Sequence, residues 1–402
     1  MKWEKASIKD ICLGIYDGPH ATPPLSDTGG IFLGIPNFVN GRLDLNNVRY
    51  ISEKDLPKWT KRVTPKENDI VFSYEATLNL YAIIPEGFYG CLGRRMGLLR
   101  VDNSKVFYKF LYYYFFSERW QRVIKENTVL GSTVDRLPLI KFPDFPVFLP
   151  SLQTQYKIAS ILSAYDDLIE NNQKHIKLVE EAAQRLYKEW FVDLRFPGHE
   201  GVKVVDGVPE GWKIKKIEEL ADTMSGGTPT RSHEEYYSSG EILWLKTKEL
   251  NDGFIFDTEE KITEAGLKNS SAKLFEKGCI ILAMYGATIG RLGISSVTMC
   301  CNQACCVLKI KEIFLFEYVY LWLVNNREML ISRGRGSAQS NLSQELIKQI
   351  EVRIPSDGVL IKFSNVVDKL LKNKEILEKQ ISSLREARDR LLPKLMSGEI
   401  EV

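Results

Sequence analysis

The sequence predicts an α+β chain in which two mixed, strand-rich heads are joined by two long antiparallel helices forming a coiled coil, with an internal pseudo-two-fold duplication. Three observations predict it: landmarks that recur at a nearly constant interval, a hydrophobic heptad seam that occurs twice, and a short, turn-rich linker that favours an antiparallel helix pair. The landmarks come first, because a repeat decides the organisation of a chain before any element is assigned. Gly131-Ser132-Thr133 precedes Pro150-Ser151 by the interval that separates Gly336-Ser337-Ala338 from Pro355-Ser356, a shift of 205 residues at both places. Trp3 in KWEKASIKDI resembles Trp212 in GWKIKKIEEL, and the run from Ile70 to Thr77 resembles that from Ile281 to Thr288 at a shift of 211. A shift that drifts by a few residues is what loop-length changes after a duplication produce.

Each half therefore reads as a strand-rich head followed by a long helix. The heads span 1–150 and 209–355, the helices 151–195 and 356–402, with a linker over 196–208. Short apolar runs such as DIVFSY, ILWLK and CIILAMY, separated by turn sequences such as NGRLD and NDGF, read as strands. Helical patches are expected over 105–126 and 312–330. In the first long helix, Ile158, Leu162, Tyr165, Ile169, Asn172, Ile176, Val179, Ala183, Leu186 and Trp190 step by four and three, which is a heptad seam. The 205-residue shift carries it onto Phe363, Val367, Leu370, Lys374, Leu377, Ile381, Leu384, Arg388, Leu391 and Leu395, with Lys374 and Arg388 as charged interruptions. A helix over 154–192 is ~58 Å long at ~1.5 Å per residue. The stretch from Asp193 to Val208 reaches at most ~55 Å when fully extended, and Pro197, Gly198, Gly201 and Gly207 favour turns within it. Parallel helices would need it stretched almost to its limit, so an antiparallel pair is predicted, with the second head near the C-terminal end of the first helix.

Composition bounds the function. The chain has 402 residues, 44% hydrophobic and 26% charged, with a formal net charge of only +2. That is an ordinary globular balance, and any nucleic-acid contact must come from local basic patches. No signal-peptide core and no run of about 18 apolar residues is present, so a cytoplasmic protein without a membrane span is expected. An odd count of seven cysteines argues against a disulfide framework. Cys300, Cys301, Cys305 and Cys306 lack zinc-knuckle spacing and alternate along a strand, so no metal is expected.

Catalytic signatures are missing as well. Pro143-Asp144 has no Glu-x-Lys partner, no Asn/Asp-Pro-Pro-aromatic methyltransferase motif occurs, and the glycines of Gly286–Gly293 have the wrong spacing for a cofactor or phosphate loop. His20, His175, His199 and His233 are scattered, and His175 is expected to face solvent. The chain reads as non-catalytic by itself and as binding no cofactor.

The duplicated head-plus-helix plan, the Ser225-Gly226-Gly227-Thr228-Pro229 turn, the Trp244 strand, the Gly-Ser loops and the closing Met396-Ser397-Gly398-Glu399-Ile400 resemble the specificity subunits of type I restriction-modification systems over nearly the whole chain. The resemblance implies two target recognition domains that read the halves of a split, asymmetric double-stranded DNA sequence. It also implies helices that set the gap and dock two methyltransferase subunits. Restriction subunits would join through the complex, and S-adenosylmethionine would sit on the methyltransferase partners.

Candidate DNA contacts follow from side-chain chemistry, since arginine can fork onto guanine and glutamine onto adenine, although phosphate contacts are equally open to them. In the second head they are Arg333, Arg335, Ser337, Gln339 and Ser340 in a glycine-bearing loop, Lys246, Thr247 and Lys248 after the Trp244 strand, Thr228, Thr230 and Arg231 in the glycine turn, and Tyr285. In the first they are Ser132, Thr133 and Arg136, His20 and Thr22, Arg94 and Arg95, and Tyr74 at the strand end matched to Tyr285. For each, a packing or plain surface role is the competing assignment. The competing functions are an S-like subunit of a methyltransferase-only system, a two-headed protein-binding adaptor, and an enzyme with an unfamiliar site.

Overall fold

A computed structural model describes residues 3–131, 134–335 and 341–402. It divides into two compact units, 1–168 with 384–402, and 169–383.

In the first unit, β1 (Glu4–Ser7), β2 (Cys12–Asp17), β3 (Gly30–Leu33), β4 (Arg49–Ile51), β5 (Ile70–Ser73), β6 (Tyr81–Ile83), β7 (Gly90–Leu92), β8 (Met96–Val101) and β9 (Pro146–Leu149) form small sheets. One runs β2-β8-β5-β6, one β4-β3-β7, and β1 pairs with β9. Only the β3–β7 pair in this unit is parallel, among the described residues. The central strands are apolar on both faces: Leu99 is fully buried in the core shared with the helices, while Val71 and Leu98 are fully buried on the other face with Leu33 and Leu92 of the small sheet. Two helices, α1 (Tyr108–Tyr114) and α2 (Glu118–Asn127), cover the sheet. Ser117 caps α2 by accepting from the Trp120 N–H. Aromatics fill this core: Phe72 stacks on Phe142 at 4.7 Å and Tyr81 on Phe115 at 4.6 Å.

The second unit repeats the plan. Its strands are β10 (Lys213–Lys216), β11 (Ala221–Ser225), β12 (Ile242–Leu245), β13 (Phe254–Ile255), β14 (Lys261–Ile262), β15 (Ile280–Ala283), β16 (Leu292–Ser295), β17 (Cys300–Cys301), β18 (Cys305–Ile310) and β19 (Glu351–Ile354). The orders are β11-β18-β15-β16-β13, β14-β12-β17 and β10-β19, and β12–β17 is again parallel. Strand for strand, these match the pairings of the first unit, with β13 added at one edge.

The registers correct one sequence match. Tyr74 N donates to Arg95 O and Leu137 N donates to Tyr74 O, while Met284 N donates to Ala304 O and Leu342 N to Met284 O. Tyr74 is therefore the counterpart of Met284, not of Tyr285. Local similarity between short apolar runs tolerates a one-residue slip, but in a strand that slip moves every side chain to the other face.

The long helices are α3 (Leu152–Tyr187), continued by a π turn over Lys188–Val192, and α6 (Asp357–Ser397). The π turn lets Tyr187, Trp190 and Phe191 all enter the second unit's core. In that unit Asn172 Nδ2 donates to Gln380 at 3.0 Å, Glu180 pairs with Lys374 at 2.6 Å, and Trp190 meets Phe363 at 5.7 Å. As α3 ascends, its partners on α6 descend, so the two segments run antiparallel there. In the first unit Ile158 and Leu162 share a core with Leu395 and Met396, and Asp166 pairs with Arg388, in the same opposed sense. Within the first unit Ile158, Ala159 and Leu162 of α3 lie in the head's core, and within the second Ala183 and Tyr187 do.

Ile169, Val179, Leu377 and Ile381 are buried as seam residues should be, and Tyr165, Ile176, Leu186, Leu370, Leu384 and Leu391 are half-buried. Leu371, not Leu370, takes the buried place after Val367, because a straight helix drifts from the strict 3.5-residue repeat. The charged interruptions are ion-pair partners, Lys374 buried and Arg388 half-buried, and not breaks. His175 is exposed.

The stretch expected to be a linker is structured. The 196–208 stretch buries Phe196 and enters a hairpin, Val204–Val205 with Val208–Pro209, around Asp206 and Gly207 at positive φ, the geometry of a tight two-residue turn. The four clustered cysteines are divided among separate cores: Cys300 beside Trp244, Cys301 and Cys305 together, and Cys306 against the helices. Burial pushes the Cys300 and Cys306 thiols up to about 12, so they act as small apolar filler. Among the described residues no helix is long and apolar enough to cross a membrane.

Candidate nucleic-acid interface

Both heads build one surface from the same parts: the loop after the first long strand, the end of the central strand of the small sheet, and the tight turn between the next two strands. In the first head the chain leaves β2 at Gly18. A Cβ there would lie 2.2 Å from Gly93 O, so only glycine allows the approach. The loop then presents His20, on Asp17 at 2.9 Å, and the exposed Thr22. Asp17 also takes Arg62 at 2.5 Å. The β7–β8 turn, Gly93 to Arg95, comes alongside. A cleft of about 240 Å³ opens there, lined by Thr22, Phe32, Gly34, Arg49, Arg94 and Arg95. The Arg49 guanidinium lies 5.2 Å over the Phe32 ring. Arg95, at φ +72, pairs with Glu75 at 3.0 Å, and Arg94 is exposed. Arginines outnumber carboxylates around this cleft, and a concave surface of one sign focuses attraction for phosphate.

The second head uses the same frame with different chemistry. Gly226 leaves β11, where a Cβ would lie 2.0 Å from Cys301 O. Trp244 Nε1 donates to Gly227 O at 2.9 Å and anchors the turn. Thr228 donates to Gln303, in the β17–β18 turn at the position held by Arg94 in the first head. Thr230 is exposed. Arg231 stacks over Tyr237 at 4.5 Å and Trp244 at 4.9 Å, and bonds Glu260 at 2.7 Å. Lys246 also binds Glu260, Lys248 binds Glu259, and Thr247 starts a short helical turn between them. The bond from Lys246 holds the Glu260 carboxyl below its usual range, and the bond from Lys248 does the same for Glu259. These cations are thus already neutralised by neighbouring acids, and a phosphate would have to displace a glutamate.

The remaining described candidates are Arg136, Tyr74, Tyr285, Arg333 and Arg335. Arg136 bridges to Glu75 and Val129, which brings its loop beside the Arg95 turn. Tyr74 is not a surface group. It is 4% exposed, its hydroxyl is buried without a hydrogen bond, and burial raises it to about 12. Tyr285 is half-buried at the head of the Gly286–Thr288 turn. Arg333 and Arg335 belong to helix α5 (Arg327–Arg335), which follows α4 (Phe316–Asn325), and not to a loop. The fully buried Leu330 draws this stretch into a helix despite Gly334. Arg333 is exposed on it. Ser132, Thr133, Ser337, Gln339 and Ser340 lie outside the described residues.

Arg49, Arg62, Gln303 and Glu260 were missed in the sequence. Their only sequence signal was proximity to a turn or a strand end, and topology alone brings them to the others. Among the described residues no group of three or more His, Cys, Asp or Glu side chains is placed to hold a metal.

Comparison with known proteins adds the family. The model of the type I restriction modification DNA specificity domain matches residues 1–181 and again 209–385. The specificity subunit of the type I restriction enzyme MjaIX of Methanocaldococcus jannaschii is 28% identical, over 88% of this chain and 82% of its own. The HindI specificity subunit of Haemophilus influenzae is 24% identical over 99% of each chain. A crystal structure of a type I restriction-modification S subunit from M. genitalium shares the fold over 98% of this chain and 96% of its own, with a TM-score of 0.63 at 17% identity.

Proposed function

The chain belongs to the type I restriction-modification DNA specificity family, and from that premise we propose that each head reads one half of a split DNA target while the paired helices act as the ruler between them. The carrying observation is the frame shared by the heads with unlike residues at matched places. Arg94 in the first head stands where Gln303 stands in the second, and an arginine-rich cleft in the first stands against an acid-balanced surface in the second. Arginine favours guanine and glutamine favours adenine, so unlike half-sites and an asymmetric target follow. The antiparallel contacts within each unit support one continuous coiled coil, arisen by duplication, that fixes the gap as half-site spacing is fixed in dimeric readers.

The chain is a guide with no chemistry of its own. Two methyltransferase subunits docked on the helices would bring S-adenosylmethionine and flip the target adenine, and restriction subunits would join the same assembly. Methylome sequencing of cells with and without this chain tests it. A split motif that disappears on deletion is expected, and an unchanged methylome would overturn the reading. Failure of the same cells to restrict unmodified DNA, with the motif intact, would favour the methyltransferase-only alternative. A protein-binding adaptor would give no sequence-dependent protection of DNA.

A further inference from the structure

Position 374 belongs to the seam, where an apolar side chain would pack without charge. It is instead a lysine, 2% exposed, on α6. Its ammonium bonds Glu180 of α3 at 2.6 Å and the backbone carbonyl of Asp252 at 2.5 Å, with Glu378 at 3.8 Å. Asp252 sits at φ +65 in the turn just before β13. That turn is tied down by polar bonds throughout. Tyr320 of α4 donates to the same carbonyl at 2.8 Å, Arg327 of α5 binds the Asp252 carboxylate at 2.6 Å, and Phe254 N donates to Glu378 at 2.7 Å. A cavity of about 470 Å³ opens beside Lys374, bordered by Glu180, Gln184, Tyr320 and Arg327. A cavity thus lies where the head meets its helices, and directional bonds hold the turn there.

We propose that Lys374 is a positioning residue that locks the angle of the second head on its helix pair, and so restricts the gap accepted between half-sites; the second clause rests on the split-target reading above. A buried ion pair adds little net stability over well-packed apolar residues, because desolvation offsets its attraction, but it demands one geometry. The first unit has a counterpart of opposite sign. There Asp166 of α3 takes Arg388 of α6 and the Tyr113 hydroxyl, each at 2.6 Å, while Arg42, beside the head's Gly41 turn, donates to the Asp166 carbonyl at 2.9 Å. An angular lock discriminates gaps because one added base pair moves a half-site by about 3.4 Å and turns it by about 35° around the duplex.

The test uses the full chain in its complex, with duplexes carrying the methylome-defined target at its natural gap and at one base pair more and less. Lys374→Met keeps the length of the side chain and removes the charge. It is expected to fold normally and to lose about tenfold of the preference for the natural gap, whereas Lys372→Met, two residues away on the surface, keeps it. Glu180→Gln, which preserves an acceptor for Lys374, should retain most of the preference. Spin labels on the second head and on α6 give a readout independent of DNA: Lys374→Met should broaden their distance distribution. A Lys374→Met chain that keeps its gap preference and a narrow distribution overturns the proposal. So does one that fails to fold, since the lysine would then serve stability. Equal binding of the unaltered chain at all three gaps, with the distribution still broadened by Lys374→Met, would overturn the split-target reading and leave the lock standing.

Discussion

Removing the Asp166 carboxylate should destabilise the first unit by about 3 kcal/mol, at the low end for breaking a buried pair. The carboxylate accepts the Arg388 guanidinium and the Tyr113 hydroxyl, each at 2.6 Å, and its side chain is 12% exposed. Asp166→Ala strands both partners. The full penalty is not reached, because Arg388 is 24% exposed and keeps Asp389 at 2.8 Å. The orphaned tyrosine hydroxyl contributes about 1 kcal/mol of that total. In urea unfolding followed by tryptophan fluorescence, the midpoint of the first unit should fall by about 1 M at a slope of about 3 kcal/mol per M. The compensated variant Asp166→Leu, Arg388→Met, Tyr113→Phe leaves no polar group stranded and should return to within about 1 kcal/mol of the starting chain. An Asp166→Ala midpoint equal to that of the unaltered chain would refute the reasoning, as would a triple variant no better than the single one.

Other consequences are open to direct measurement. Arg94→Ala and Gln303→Ala should each relax specificity in one half-site only, by about 1–3 kcal/mol for a good base contact, in competition binding against single-base variants; loss in both half-sites from one change would reject independent heads. Arg333→Ala should lower affinity for all sequences alike and reduce the salt slope by about one if it holds a phosphate, as read from binding across a salt series. Glu317 is buried, and burial raises its carboxyl above the usual range although Ser364 donates to it at 2.8 Å. Its stabilising contribution is therefore present at acid pH and is lost as pH rises through its folded-state value. Glu317→Gln should gain melting temperature relative to the unaltered chain from pH 4 to pH 8, and a constant difference across that range would contradict this.

Periodicity and repetition were legible in the chain itself. The heptad steps from Ile158 to Trp190, their echo from Phe363 to Leu395, and the Gly-Ser and Pro-Ser landmarks are local patterns, and local patterns survive as helices and turns wherever they are placed. The length of the Asp193–Val208 stretch was enough to predict an antiparallel pair, because chain reach is a covalent limit. The meaning of Lys374 and Arg388 was not legible. As sequence they interrupt a seam, and only the fold supplies Glu180 and Asp166 as partners, 194 and 222 positions away in the chain.

The candidate interface divides in the same way. Thr22, Arg94, Thr228 and Arg231 could be named from residue type and turn chemistry. Tyr74 could not be judged, because one residue of register separates the core from the surface of a strand and short apolar runs do not encode that register. The union of Arg49 with Phe32, the pairing of Thr228 with Gln303, and the capture of Lys246 and Lys248 by glutamates arise from strands that meet only in the folded sheet. The sequence by itself determined the two-headed plan and the helices, since both rest on repeated short-range patterns. The tertiary structure alone decided which side chains line the first head's cleft and which partners Lys374 and Arg388 take, since both depend on contacts between distant segments.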